Sequence, residues 1–547
     1  MEEPLPDSKI NIPHKADHLL QTSISNGHKE KNIHSSIKSS RQSDAIRILE
    51  NHSENLRKNE IHNAAAIIVK VKTGEVLAYV GNSKSQSEHS PEVDIIQSQR
   101  SPGSLLKPFL YAASLENSLI LPYQLLPDIP LIYRGFAPKN FDKKFRGAVP
   151  ADQALASSLN VPFVFLLRDY GYEKFHSVLK KTGMTSLKKP AKHYGLSLIL
   201  GGAESSLWEM TSLYAGLIRT YKSFNNRPFK KGYGKLDYSE HSILKSGKNF
   251  DTLLSNKGHF SFSSIHYTLK ALKSLNRPDE ESGWKSFESG QKIAWKTGTS
   301  YGFKDAWAIG MSDEYVIGVW VGNADGEGRS GLIGTVAAAP ILFEMFRLLN
   351  TELTLQEEFG SNLTLCSQSG MKASSNCHET KEIRLQNEQK DNRFCQFHKQ
   401  IKLDNHAKER VNSKCYDVYN MIDSSWFVLP PVQAFYYKRY HPEYVELPKY
   451  KAGCVQEGDN KTIDLIYPGS YSKVYIPKEQ DGKKGSLIFE ASHQKSEARL
   501  FWHLDNEYLG FTQRIHQMPI QTNAGVHKIT LVDEFGNELV RNFEVLN

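Results

Sequence analysis

The sequence predicts an α+β protein: one mixed antiparallel sheet, drawn from both ends of its first 350 or so residues, with helices packed on it, then an all-β sandwich. Three observations predict this. A hairpin pattern comes early, with apolar runs at Ala64–Val71 and Val76–Val80 around the turn Lys72-Thr73-Gly74-Glu75. Strand patterns return only after several helical ones, at 291–296, 304–310 and 314–321. Strands at both ends with helices between them fit a single covered sheet. From about 458 onward, short alternating runs separated by Gly, Asn and Asp fit an antiparallel sandwich; Lys473–Pro477, Ser486–Phe489 and Val526–Val532 are examples.

The elements follow in order. Residues 1–60 are polar, contain no Trp, Tyr or Phe, and read as a linker with one helix on Ala45, Ile46, Ile48 and Leu49. Residues 61–352 form the sheet-and-helix domain, with helical patterns around 104–117, 151–158, 172–182, 205–220 and 265–276. A Lys- and Gly-rich loop spans about 224–258, and Ala337, Ile341, Leu342, Met345 and Phe346 mark a closing helix at 336–349. Residues 353–455 are a connecting segment that holds all five cysteines, and 456–547 the sandwich.

Composition excludes some classes. Of 547 residues, 39% are hydrophobic and 23% charged, as in an ordinary globular protein. The net charge of +8, from 68 basic and 60 acidic residues, is too dilute for a nucleic-acid footprint. No run approaches the ~18 apolar residues of a membrane span. The start, Met1-Glu2-Glu3-Pro4, lacks the basic and apolar regions of a secretory signal.

Chemistry concentrates in Arg100-Ser101-Pro102-Gly103-Ser104-Leu105-Leu106-Lys107-Pro108-Phe109. Pro108 is tolerated only in a helix's first turn, which starts the helix near Leu105 and leaves Ser104 at its N-terminal end. Lys107 then shares a face with Ser104 and is within reach of its hydroxyl. A serine nucleophile needs a base, and a neutral lysine serves. Ser-x-x-Lys also occurs at Ser35, Ser186, Ser242, Ser289 and Ser492, so the pair alone proves little. Two further motifs add weight: Ser158-Leu159-Asn160, and Lys296-Thr297-Gly298-Thr299 directly after the apolar Ile293-Ala294-Trp295. Their decoys read better as ordinary structure. Lys181-Thr182-Gly183 is a helix end with a glycine cap, and Ser274-Leu275-Asn276 precedes Arg277-Pro278 as another helix end.

With the three motifs in order, the chain resembles the penicillin-recognising serine transpeptidases. Longer stretches narrow the resemblance to the 1C group of penicillin-binding proteins: Asn140-Phe141-Asp142, Tyr194 to Glu204, Lys304-Asp305-Ala306-Trp307-Ala308 and Gly318 to Gly326. The resemblance implies the penicillin-binding transpeptidase fold and an immunoglobulin-like C-terminal sandwich. The 20 histidines form no His-Glu-x-x-His pattern, so no catalytic metal is expected, and no cofactor. The resemblance also implies Ser104 as nucleophile, Lys107 as base, Ser158 as proton relay and Asn160 as a holder of the donor peptide's amide. Lys296, Thr297, Gly298 and Thr299 would then line the site of the terminal carboxylate, and the N–H groups of Ser104 and Thr299 the oxyanion hole. An unperturbed lysine has a pKa of ~10.4, so Lys107 needs burial or a second cation, for which Lys296 is the candidate, to stay neutral.

The implied activity is cross-linking of peptidoglycan stem peptides, with β-lactams as inhibitors, at the periplasmic face of the inner membrane. Family members carry a membrane anchor and a glycosyltransferase domain upstream; residues 1–60 would be the remnant of the pedestal that joins them. A separate glycosyltransferase is an expected partner, and a macroglobulin-like protein a further one. The rival functions are a D,D-carboxypeptidase or β-lactamase, with Glu204 or Glu209 as a deacylating base, and a penicillin-binding sensor without turnover.

The cysteines allow two readings. Cys366, Cys377, Cys395 and Cys415 fall within about 50 residues, with Cys454 beyond. For a protein outside the cytoplasm, two disulfides with one thiol left over are the favoured reading. Cys395-Gln396-Phe397-His398 is ligand-like, and zinc on Cys366, Cys377, Cys395 and His398 is the alternative.

Overall fold

The computed structural model describes residues 15–29, 31–131, 133, 136–225, 233–234, 237–245, 254–255, 259–273, 292–386, 393–454, 462–469, 472–476, 485–505, 507–533 and 537–546. Ser274-Leu275-Asn276, Ser289, residues 1–14 and most of the Lys- and Gly-rich loop lie outside them. The chain divides into two compact units, and the division is not a single cut. One unit is Met1–Asn117, Leu155–Ser158 and Leu167–Phe359; the other is Ser118–Ala154, Leu159–Leu166 and Gly360–Asn547.

The first unit is organised on five strands: β1 (Asn63–Lys70), β2 (Val76–Val80), β3 (Ala294–Thr299), β4 (Asp305–Met311) and β5 (Tyr315–Gly322). Their order is β2-β1-β5-β4-β3, and every pairing is antiparallel. The early hairpin and the late strands thus share one sheet, joined where β1 lies along β5 from Asn63–Gly322 to Lys70–Tyr315.

Successive side chains of a strand face opposite ways. On β5, Ile317, Val319 and Val321 enter a core with Ala45, Ile48 and Leu49 of helix α1 (Ser39–Arg57). The same core holds Ile341, Leu342, Met345 and Phe346 of the closing helix. Gly318 faces the other way, against Leu207 and Thr211, where a Cβ would collide with both side chains. That face is covered by a helix at Leu207–Asn225. Helix α2 (Lys107–Glu116) is buried at every position from Lys107 to Leu115. A helix buried all round in this way lies inside a domain. Phe109, Leu110 and Leu115 each contribute about 1.5–3 kcal/mol of burial, which offsets the cost of taking one amine out of water.

In the second unit two hairpins pair β6 (Ser361–Cys366) with β7 (Thr380–Leu385) and β8 (His398–Leu403) with β9 (Ile422–Phe427). The same unit contains a two-sheet sandwich of three and five strands around Phe489, Leu500, Trp502, Leu531 and Phe543. One edge pairing, Lys473–Tyr475 with Glu544–Leu546, is parallel.

The cysteine expectation is corrected in part. Cys415 is disulfide-bonded, to Cys454, with Cα atoms 5.1 Å apart. Cys366, Cys377 and Cys395 are free thiols, not disulfides. The two hairpins gather these three sulfurs around the His398 ring and leave none of them joined to another. No helix among the described residues is long and apolar enough to cross a membrane.

Candidate active site

Ser104 sits in a 3₁₀ turn, Gly103–Leu106, that runs directly into α2. The α-helix begins slightly later than the sequence reading places it, because Gly103–Leu106 wind as the tighter 3₁₀ turn first; Pro108 still occupies the helix's first turn. The Lys107 N–H donates to the Ser104 carbonyl, so nucleophile and base candidates share one turn.

The turn is fixed from several sides. Trp307 Nε1 on β4 donates to the Ser101 carbonyl at 2.8 Å. Tyr214 Oη donates to the Leu105 carbonyl at 2.8 Å, and Ser101 Oγ to that of Gly201 at 2.8 Å. The tightest approach is to β3. A Cβ built on Gly103, whose φ is +55°, would lie 2.5 Å from Thr299 O and 2.7 Å from Thr299 N. A Cβ on Gly298 would run into the Pro102 carbonyl. Two glycines therefore let the Ser104 turn meet the strand that carries Lys296, Thr297 and Thr299.

Ser158 links the two lysines. It adopts a left-handed φ of 55°, an expensive conformation for a non-glycine residue. Its carbonyl accepts from Lys107 Nζ at 2.7 Å and its hydroxyl from Lys296 Nζ at 2.7 Å. Lys296 Nζ also donates to the Thr297 carbonyl at 2.8 Å. Both lysines are 0% exposed. Burial pushes the Lys107 amine well below the ordinary lysine range. Thr299 Oγ1 accepts from the Gly334 N–H at 3.1 Å, which leaves its own O–H available to donate.

Asn160 belongs to the second unit. There its amide donates to the Lys139 carbonyl at 2.9 Å. Its backbone N–H, and that of Val161, are both held by Asn140 Oδ1 at 3.0 and 3.1 Å. Asn140 in turn donates to the buried Asp128 at 2.7 Å. Sequence reasoning noticed Asn140-Phe141-Asp142 without finding this task. The local signal was an asparagine, two donors and two acceptors in one side chain, within reach of a helix start with unpaired N–H groups.

Other candidates separate from this cluster. Glu209 is buried and accepts from Ser205 Oγ at 2.5 Å, Thr185 N at 2.5 Å, Ser186 N at 2.9 Å and the hydroxyls of Thr185 and Ser186. A carboxylate so occupied is a structural tie. Glu204 is exposed. Lys181-Thr182-Gly183 ends the helix Tyr172–Lys181, with Gly183 at a φ of +103°.

The comparisons decide the family. Residues 64–341, just over half of the chain, match the model of the penicillin binding protein transpeptidase domain. The chain belongs to that family. Residues 452–543 match a second model, the Penicillin-Binding Protein C-terminus Family. Penicillin-binding protein 1C of Escherichia coli is 34% identical over 295 residues, covering 52% of this chain and 34% of that protein. Penicillin-binding protein 1A of Rickettsia felis is 30% identical over 279 residues, covering 48% of this chain and 34% of that protein. The chain thus spans about a third of the length of these curated relatives. The crystal structure of penicillin-binding protein 1A from Haemophilus influenzae shares the fold, with a TM-score of 0.55 and 17% identity over 72% of this chain and 79% of that one. The penicillin-binding transpeptidase fold read from the sequence stands.

Proposed function

We propose that this member of the family is a D,D-transpeptidase acting through a serine acyl-enzyme on peptidoglycan stem peptides. Ser104 Oγ attacks the carbonyl of the penultimate D-alanine. The Oγ–C bond forms, the C–N bond to the terminal D-alanine breaks, and the hydroxyl proton passes to Lys107 Nζ. Ser158 carries a proton on to the leaving amine. The amine of a second stem peptide then attacks the acyl carbon, the C–Oγ bond breaks, and the amine's proton returns by way of Lys107 Nζ to Ser104 Oγ. Lys296, Thr297 and Thr299 hold the substrate's terminal carboxylate beside β3, and Asn160 holds the donor amide. The N–H groups of Ser104 and Thr299 receive the oxyanion, where one donor is typically worth ~10²–10³ in rate.

One observation carries the reading: two buried amines are tied to the two oxygens of Ser158, and one of them shares a turn with Ser104. A buried amine of lowered basicity is what a base for a serine hydroxyl requires. β-Lactams would acylate the same serine. The work would be done on the periplasmic side of the inner membrane, with glycan strands supplied by a glycosyltransferase; a macroglobulin-like protein is a further proposed partner.

Labelling with a fluorescent penicillin, compared with Ser104→Ala, tests the proposal. Wild-type labelling that the variant lacks, slow release of the label, and cross-linking of supplied stem peptides are expected. Absence of label in the wild type overturns the serine assignment. Rapid turnover of nitrocefin would make the protein a β-lactamase, and labelling without cross-linking a sensor.

A further inference from the structure

The three thiols that the disulfide reading misassigned form a closed set with one imidazole. Cys366, Cys377 and Cys395 Sγ lie 3.5, 3.5 and 3.4 Å from His398 Nδ1. All four atoms fall within 4.8 Å of one another, the one such group of potential metal ligands among the described residues. A tetrahedral ion with Zn–S of ~2.3 Å and Zn–N of ~2.0–2.1 Å sets sulfur and nitrogen about 3.6 Å apart. Three independent separations agree with that figure.

The surroundings suit thiolates. Cys366 Sγ accepts from the Ser369 N–H at 3.4 Å, Cys395 Sγ from the Ser369 hydroxyl at 3.2 Å, and Cys377 Sγ from the Ser374 N–H at 3.4 Å. Each sulfur thus accepts a hydrogen bond from a backbone N–H or a serine hydroxyl, the kind of outer support that suits metal-bound thiolates. Cys366 and Cys395 are buried, and Cys377 half-buried. The ligands come from two separate hairpins: Cys366 ends β6, Cys377 lies in the turn before β7, and Cys395-x-x-His398 leads into β8. An isolated two-stranded hairpin is marginal in water. Only a small apolar cluster, including Met371, Phe397 and Leu429, lies around them. In the same unit Cys415 and Cys454 are joined while these three thiols are not.

We propose that Cys366, Cys377, Cys395 and His398 bind one structural zinc ion. Three Sγ–H protons leave on binding. Three thiolate lone pairs and the Nδ1 lone pair of the Nε2-protonated imidazole fill the four positions. No position stays open for water or substrate, so the ion clips the two hairpins and performs no chemistry.

Full-length wild-type protein, purified without chelator, should carry about one zinc per chain by mass-spectrometric metal analysis. Its three free thiols should resist a thiol reagent until a chelator is added. Cobalt exchanged into the site should give the strong visible absorption of a tetrahedral thiolate complex. Ser369→Ala leaves all four ligands in place and should weaken zinc about 10–100-fold against a competing chelating dye. The proposal is overturned if the wild type carries no zinc and takes none up when offered zinc alone under reducing conditions. A disulfide between any two of the three cysteines in native protein overturns it equally.

Discussion

The contact between the Ser104 turn and β3 can be tested by adding a single methyl group, Gly103→Ala. Two costs follow from the geometry. An L-residue at a φ of +55° costs roughly 1–2 kcal/mol relative to glycine. The new Cβ would stand 2.5 Å from Thr299 O and 2.8 Å from Thr299 C, against ordinary contact at 3.4–4 Å. The neighbours there are backbone in a paired strand and cannot swing aside, so overpacking adds about 1–3 kcal/mol. The relief available is a retreat of the turn from β3 by about 0.6–0.9 Å. A misplacement near 1 Å costs on the order of 10²-fold in rate, and that is the expected fall in the second-order rate of labelling by fluorescent penicillin. Thermal unfolding should drop by roughly 5–10 °C. Gly27→Ala is the control. Gly27 also has a positive φ, 83°, but nothing lies within 4 Å of its Cβ position, so it should show only the backbone cost and label normally. If Gly103→Ala labels within about threefold of wild type and melts with it, the close approach is not what assembles the site.

Three more expectations follow. Lys107 has its basicity lowered by burial, so labelling should rise as pH rises through that lowered value and then level off. Between the lowered value and the ordinary lysine range the unfolded chain holds a proton that the folded one lacks. Stability should therefore increase with pH across that window, and Lys107→Met should abolish labelling yet melt higher at neutral pH, as read by calorimetry. Asn140→Ala removes the acceptor for the Asn160 and Val161 N–H groups, at about 1–3 kcal/mol for each donor left buried, and should slow labelling through the misplacement of Asn160. Cys415→Ser opens a bridge with a sequence separation of 39 and should cost up to about 4 kcal/mol by chain entropy, measured as a lower denaturant midpoint of the second unit.

The sequence disclosed the parts of the fold that rest on local chemistry. Pro108 placed the start of α2, and hence Ser104 and Lys107 on one turn, because proline tolerates few backbone positions. The apolar run before Lys296 disclosed β3, and the early hairpin with the late strands disclosed the sheet. What stayed hidden depends on distant pairing. The helix Val161–Tyr170 is absent from the helical patterns read from the sequence, although Pro162 in its first turn is a start signal of the same kind as Pro108. The bonds from Lys107 and Lys296 to Ser158 span 51 and 138 residues, and no periodicity announces them. The metal-like cluster was read only as the alternative to disulfides for the same reason: two hairpins supply its ligands, so the spacing along the chain is irregular although the spacing in space is even.

The interleaving of the two units bears on how the protein is made. Leu125 and Ala148, from the stretch that also presents Asn140, are buried in one cluster with Leu429 and Ala434. A ribosome releases those partners nearly three hundred residues later, so during synthesis that stretch waits for the C-terminal part to emerge. Shortening the gene after the last helix of the first unit would leave it waiting permanently, and such a fragment should be prone to aggregate.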